Sequence, residues 1–298
     1  MAGLYITIIL LCRVVQAVFN KRSSNEITSL PMMVKYNAYQ NTLSAILGLA
    51  LIVVAGSGFA CDLKTVLIAA FSGITLFFSI FCSIYAMKSG TVGLNSMFGT
   101  AGMIIPIIAG VFLFDKAVAP MQFVGLGIFF LSAWLLIGDS KAVYTNFNYK
   151  TLLLLIGALL ANGGTMLAQQ MFTEYVPQGD VSVFSFLSFA IIGVLSLALF
   201  GVLVGGNKDK RAAAKFPKML IVCGVALAVA VFIINQLATL STKLVSPVVL
   251  FTFINGGGTI ISTLVAAVLY KERISIKSAL GILLGITSLV LIKLFETA

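Results

Sequence analysis

VSPVVLFTFINGGGTIISTLVAAVLYKERISIKSALGILLGITSLVLI, residues 245–292, reads as two apolar helices joined by one charged hinge, Lys271-Glu272-Arg273. The first carries Pro247 near its start and Gly256-Gly257-Gly258 in its middle; the second opens with Lys277 and holds Gly281 and Gly285. Residues 93–138, GLNSMFGTAGMIIPIIAGVFLFDKAVAPMQFVGLGIFFLSAWLLIG, repeat the plan with the hinge Asp115-Lys116. Glu272 lies nine residues before Gly281, and Lys116 nine before Gly125. A third landmark agrees: Gln16 precedes Gly125 by 109 residues and Gln169 precedes Gly281 by 112. A unit repeated at half the chain length predicts two similar halves.

Outward from that stretch, the whole chain has the same character. Of its 298 residues, 60% are hydrophobic and 9% charged, against about 25% charged in soluble domains. The apolar runs approach the ~20 residues that cross ~30 Å of hydrocarbon as a helix. Ten spans follow: 2–19, 33–56, 64–87, 91–114, 119–138, 150–172, 182–205, 217–240, 245–269 and 276–294. The expected fold is an all-α membrane protein of ten transmembrane helices in two inverted five-helix repeats, residues 1–139 and 140–298. Five spans per half is an odd number, so the halves must cross in opposite senses. MAGLYITIILLC has no basic leading region and reads as a retained first span rather than a signal peptide.

The net charge of +10 lies in short loops, which points to lipid headgroups rather than nucleic acid. The chain has no histidine, and its four cysteines have no metal-ligand or disulfide spacing, so no metal, cofactor or intramembrane enzyme chemistry is expected. Orientation stays open. Fourteen Lys and Arg fall on the side of the loops after spans 1, 3, 5, 7 and 9, against four on the side of the termini, which places the termini outside; much of that excess comes from one loop and from residues near the site.

Polar residues inside the spans recur at helical spacing and make one stripe per helix. Candidate substrate-binding residues are Arg13, Gln16, Lys35, Asn37, Gln40, Asn162, Gln169, Asn235, Gln236 and Asn255. The amides are too many and too far apart to pair only with one another. Arg13 is the sharpest, because an arginine at mid-span costs roughly 2.5–3.5 kcal/mol, and an anion-binding role explains its presence. Lys35 is either its companion or an interfacial anchor. Gly256–Gly258 either permits close helix packing or touches substrate. Spans 1–4 and 6–9 are expected to surround a polar cavity, with spans 5 and 10 outside, facing lipid or forming a homodimer. None of the nine acidic residues lies in the middle of a span. A cation–proton exporter needs such a carboxylate, so a neutral, zwitterionic or anionic metabolite fits better than a cationic drug.

The layout resembles the drug/metabolite transporter superfamily, specifically its EamA-like members. The resemblance rests on Tyr270-Lys271-Glu272-Arg273 followed by Gly281 and Gly285, and on Pro106 in span 4. The first half departs at Phe114-Asp115-Lys116-Ala117, with Lys where the family tends to have Glu, and span 9 has Ser262 or a neighbour in place of the proline. The resemblance implies a plasma- or inner-membrane solute carrier working by alternating access, with a cavity between the halves and cytoplasmic termini. Family substrates range over amino acids, sugars, nucleotide-linked compounds, choline and drugs, so a drug or cation exporter of the same superfamily is the alternative. A non-transporting scaffold is a further alternative, disfavoured by the polar stripes.

Overall fold

The computed structural model describes residues 1–56, 58–59, 61–87, 92–137, 148–207, 209, 214–270 and 275–295. Among the described residues, these α-helices carry the fold: α1 (Ala2–Glu26), α2 (Leu30–Ala55), α3 (Leu63–Met87), α4 (Val92–Ala101), α5 (Ile104–Leu113), α6 (Pro120–Ile137), α7 (Tyr149–Tyr175), α8 (Val181–Val204), α9 (Lys218–Ser241), α10 (Pro247–Thr252), α11 (Gly258–Tyr270) and α12 (Ile276–Leu294). A π-helical turn, Phe253–Gly257, joins α10 to α11. There are no strands among the described residues. Among the described residues, eight helical stretches are long and apolar enough to cross a membrane, and two shorter apolar ones, Met97–Leu113 and Pro120–Leu136, accompany them. Their outward faces are apolar, with Val54, Phe112 and Val202 each more than three-quarters exposed, as lipid-facing surfaces are.

Polar caps set where several helices start. The side chains of Ser29, Asn148, Asp180, Ser246 and Ser275 each accept a backbone N–H of the first turn, filling donors that have no intrahelical partner. Gly56 and Gly205 end α2 and α8 at φ 63° and 51°, a left-handed turn that glycine takes without strain. At the end of α5, Asp115 turns at φ 50° and the Lys116 N–H returns to the Gly110 carbonyl at 2.8 Å. The first charged hinge is therefore a helix-terminating turn. The second, Lys271-Glu272-Arg273, lies outside the described residues, as do the boundary at 139/140 and the Ser262 side chain.

The helices differ from the sequence reading at the end of α1 and within the fourth and ninth stretches. α1 runs on to Glu26 rather than ending at residue 19. Hydropathy marks where apolar surface stops, and Lys21, Arg22 and Glu26 are good helix formers that continue the coil into water. The fourth and ninth stretches are both interrupted. The former breaks at Gly102-Met103, between α4 and α5, and the latter at the π turn.

α2 packs antiparallel on α8, α3 on α7 and α6 on α12, while α1 packs on α9 and α11, and α4 and α5 on α7. Glycines set the closest approaches. A Cβ at Gly285 would stand 2.7 Å from Ser132 Oγ, and one at Gly281 2.9 Å from Leu136 Cγ. The polar residues of α6 and α12 bind these same backbones: Ser132 Oγ donates to the Gly281 carbonyl at 2.6 Å and Ser288 Oγ to that of Gly125 at 2.9 Å. The Gly256–Gly258 run serves packing too. Cβ atoms there would lie 2.5 Å from Phe129, 2.8 Å from Leu10 and 3.4 Å from Arg13. The largest apolar cluster, including Ile9, Met103, Ile107, Phe129, Leu250, Phe251 and Ile292, sits where α1, α5, α6, α10 and α12 meet.

Candidate functional site

A cavity of about 360 Å³ lies inside the bundle, lined from α1, α2 and α3 on one side and from α7, α9, α10 and the π turn on the other. Such a volume suits a small ligand. Eight of the ten sequence candidates line it: Arg13, Gln16, Asn37, Gln40, Asn162, Gln169, Asn235 and Asn255. α1, α2 and α7 present polar stripes at helical spacing, as in Arg13, Gln16 and Asn20 on α1.

Lys35 and Gln236 do not line it. Lys35 is two residues before Asn37, hence about 200° away around α2. Its Nζ donates to the Ala214 carbonyl at 3.1 Å and lies 4.6 Å from the centre of the Phe216 ring. Gln236 neighbours Asn235 but points toward α8, where it accepts from Ser185 Oγ at 2.8 Å and donates to Ser182 Oγ at 3.0 Å. It ties two helices together. The fourth and seventh sequence spans also contribute no lining residue among the described ones. α8 lies against α2 and α3, and α4 is drawn onto α7: a Cβ at Gly102 would be 2.8 Å from the Leu159 carbonyl oxygen. α6 and α12 contribute none either.

Several lining residues were missing from the sequence list. Asn20 and Asn41 extend the stripes of Gln16 and Asn37 by one turn, and Ser79 and Thr165 belong to stripes of their helices; helical spacing alone could have added them. Nothing in the sequence distinguishes Phe251, Ile254, Met166 and Ile234, the apolar part of the lining, from other core residues.

Arg13 is the one charged residue among those lining the cavity. Its Nη1 donates to Gln16 Oε1 at 2.7 Å, and its Nε is buried without a partner. Gln169 Nε2 donates to Asn235 Oδ1 at 2.8 Å, and Asn162 Nδ2 donates to the Gly99 carbonyl at 2.6 Å. The last bond reaches a carbonyl one turn before the α4–α5 break, where the helical ladder is interrupted and backbone acceptors need other donors. Thr75 and Thr165 share a hydrogen bond of 3.1 Å beside the cavity.

The two ends of the bundle differ. At the end where α1 begins, Lys116 pairs with Glu174 at 2.8 Å, Phe114 stacks edge-on against Tyr175 at 5.6 Å, and Thr173 shares a 2.8 Å bond with Thr242. At the other end Asn20, exposed, stands at the rim of the cavity. Among the described residues, no group of three or more His, Cys, Asp and Glu side chains could hold a metal.

Among the described residues, the fold and the cavity define an all-helical protein with eight helices long and apolar enough to cross a membrane and an amide-lined cavity between helices. No family model and no curated protein matches the chain. A solved structure, described only as the crystal structure of a protein, is similar with a TM-score of 0.80 at 16% identity, over 99% of this chain and 97% of that one. At that identity the likeness concerns the fold alone.

Proposed function

We propose that the protein is a secondary transporter, EamA-like within the drug/metabolite transporter superfamily, that moves a small polar metabolite by alternating access. In this reading, Met97–Leu113 and Pro120–Leu136 complete ten spans, and the two halves are inverted repeats. The packing supports the repeat. Exchanging the halves turns the α3–α7 pair into α9–α1 and α5–α7 into α11–α1, while α2–α8 and α6–α12 map onto themselves; each of these pairs is in contact. Both interrupted helices occupy corresponding places, as broken helices do at transporter sites.

The cavity carries the proposal: it is rich in amides, lined by both halves and open at the Asn20 rim, with cross-half contacts at the opposite end. A scaffold has no need of such a chamber. The cation-exporter alternative is disfavoured by the absence of any carboxylate among the lining residues. Closure by Lys116–Glu174 and Phe114–Tyr175 joins the two halves, so rocking them would open that end. The deciding experiment is uptake of radiolabelled metabolites into proteoliposomes. Saturable flux, lost on Asn162→Leu or Arg13→Gln, is expected. Flux that rises linearly with concentration, or none for any compound that binds, overturns the proposal.

A further inference from the structure

The cavity has a polarity that its composition hides. An amide offers both donors and acceptors, yet most of these amides have their nitrogens engaged by the protein. Asn37 Nδ2 donates to the Met33 carbonyl at 3.0 Å, Asn41 to Asn37 at 2.7 Å, Asn235 to Val231 at 3.1 Å and Asn255 to Phe251 at 2.9 Å. Each is the carbonyl one turn back on the same helix. Asn162 turns its nitrogen to Gly99. What these residues have left for a ligand is the oxygen. Asn235 Oδ1 is already taken by Gln169 Nε2, which in turn leaves Gln169 Oε1. The cavity thus presents Oδ1 of Asn37, Asn41, Asn162 and Asn255 and Oε1 of Gln169, none of which accepts a hydrogen bond from the described protein.

Against this acceptor wall stands one strong donor. Arg13 uses Nη1 on Gln16 and leaves Nε without a partner. Nε is buried away from the cavity, so the guanidinium meets a ligand through Nη2–H, a charged donor suited to a carboxylate oxygen. Gly258 packs against the stem of Arg13, where a Cβ would stand 3.4 Å from Cδ and 3.5 Å from Nε.

Charge then selects among ligands. The lining carries +1 and no carboxylate, and an uncompensated charge in a poorly hydrated site is costly. A monoanion brings the loaded cavity to neutrality. A zwitterion leaves it at +1, a cation raises it to +2, and a dianion leaves −1. The acceptor wall also asks for several neutral donors, and hydroxyl groups supply these without adding charge. Resting on the transporter reading, we propose that the substrate is a small monoanionic polyhydroxy acid: its carboxylate lies on Arg13 and its hydroxyls donate to the amide oxygens of α2, α7 and the π turn.

The test is isothermal titration of the purified full chain with matched six-carbon probes. These are gluconate, gluconamide (no charge), glucosaminic acid (zwitterion), glucamine (cation) and hexanoate (no hydroxyls). Gluconate is expected to bind at least tenfold tighter than each of the others. Arg13→Gln should bring gluconate and gluconamide within twofold of each other. Because that variant could fail to fold, Gln40→Glu is the second: no protein partner holds the Gln40 amide among the described residues, and the new carboxylate should weaken gluconate and strengthen glucamine. Gluconate binding no better than any one of the other four, or no binding by any, overturns the assignment. Saturable proteoliposome flux of another compound, without gluconate binding, also sinks the substrate class and leaves the transporter reading intact. Tight gluconate binding without flux does the reverse.

Discussion

Asn162 links the cavity to the broken helix, and replacing it separates two consequences. Its Nδ2 donates to the Gly99 carbonyl at 2.6 Å, and Gly99 also receives the Gly102 N–H at 3.2 Å. Asn162→Leu keeps the bulk and removes the donor. The Gly99 oxygen retains one partner, so the loss is that of a single interhelical bond, about 0.6 kcal/mol and at most ~1.7 kcal/mol. Asn162→Asp keeps the shape but sets an anionic oxygen against the Gly99 carbonyl oxygen at the old bond length. An unpaired carboxylate inside a membrane helix costs roughly 2.5–3.5 kcal/mol. Stability at neutral pH should therefore fall in the order wild type, Asn162→Leu, Asn162→Asp. At roughly 2–4 °C per kcal/mol, the leucine variant melts a few degrees lower and the aspartate variant several degrees below that. Thermal unfolding in one detergent, followed by Trp134 fluorescence, measures both. An aspartate variant as stable as the leucine variant refutes the orientation of the Asn162 amide, and with it the acceptor character assigned to its oxygen.

Other outcomes follow from the same geometry. Lys35→Met should lower the melting temperature by loosening Ala214 and Phe216 while leaving the affinity of any cavity ligand within twofold; a tenfold affinity loss would return Lys35 to the site. Gly285→Val must push α6 from α12, because even a Cβ would be 2.7 Å from Ser132 Oγ, and should destabilise by about 1–3 kcal/mol; an unchanged melting curve would mean that the pair does not pack so closely. Glu174→Gln breaks a half-exposed pair with Lys116, worth about 0.2–1 kcal/mol, so the melting point should hardly move, while easier opening of that end should raise labelling of a cysteine placed at Ala238 on the cavity wall; equal labelling argues against the pair as a closing contact. Trp134→Cys and Leu283→Cys, on the outward faces of α6 and α12, test the homodimer expected from the sequence: cross-links in lipid support it, and their absence at both positions refutes it.

The sequence makes some of this legible and leaves the rest to packing. Apolar run length locates the helices, because crossing a membrane demands it, but the run says nothing about helix continuing into water, as α1 does from Asn20 to Glu26. Arg13 stands out because its mid-span position is costly. Gly102 and the Phe253–Gly257 turn do not announce a break: glycine in a membrane helix as often marks a close approach, and Gly102 is both. Lys35 and Gln236 stay off the cavity wall for a simpler reason. A stripe gives positions around one helix, not which neighbour each side faces. Gln236, beside Asn235, faces α8, and Lys35, which the sequence leaves open between a companion of Arg13 and an interfacial anchor, faces the Ala214–Phe216 segment.

The placement of the asparagines suggests why the cavity and the breaks coincide. Asn162 holds a carbonyl beside the α4–α5 break, and Asn255 lies inside the π turn that interrupts the ninth stretch. Gly257 and Gly258 of the same region lie on Leu10 and Arg13 of α1. A ligand can bias a conformational equilibrium only through contacts that differ between the states. In the transporter reading, a substrate that bonds Asn162, Asn255 and Arg13 would touch one interrupted helix directly, reach the other through the Asn162–Gly99 bond, and touch α1, which packs on the π turn. Serine would not do the same work, since its single hydroxyl proton, once given to the backbone, leaves an oxygen close against its own helix. An asparagine can hold the helix with its nitrogen and still extend its oxygen to the ligand. The choice of amide over hydroxyl at these two positions thus ties occupancy of the cavity to the geometry of the breaks, without any charged group having to move.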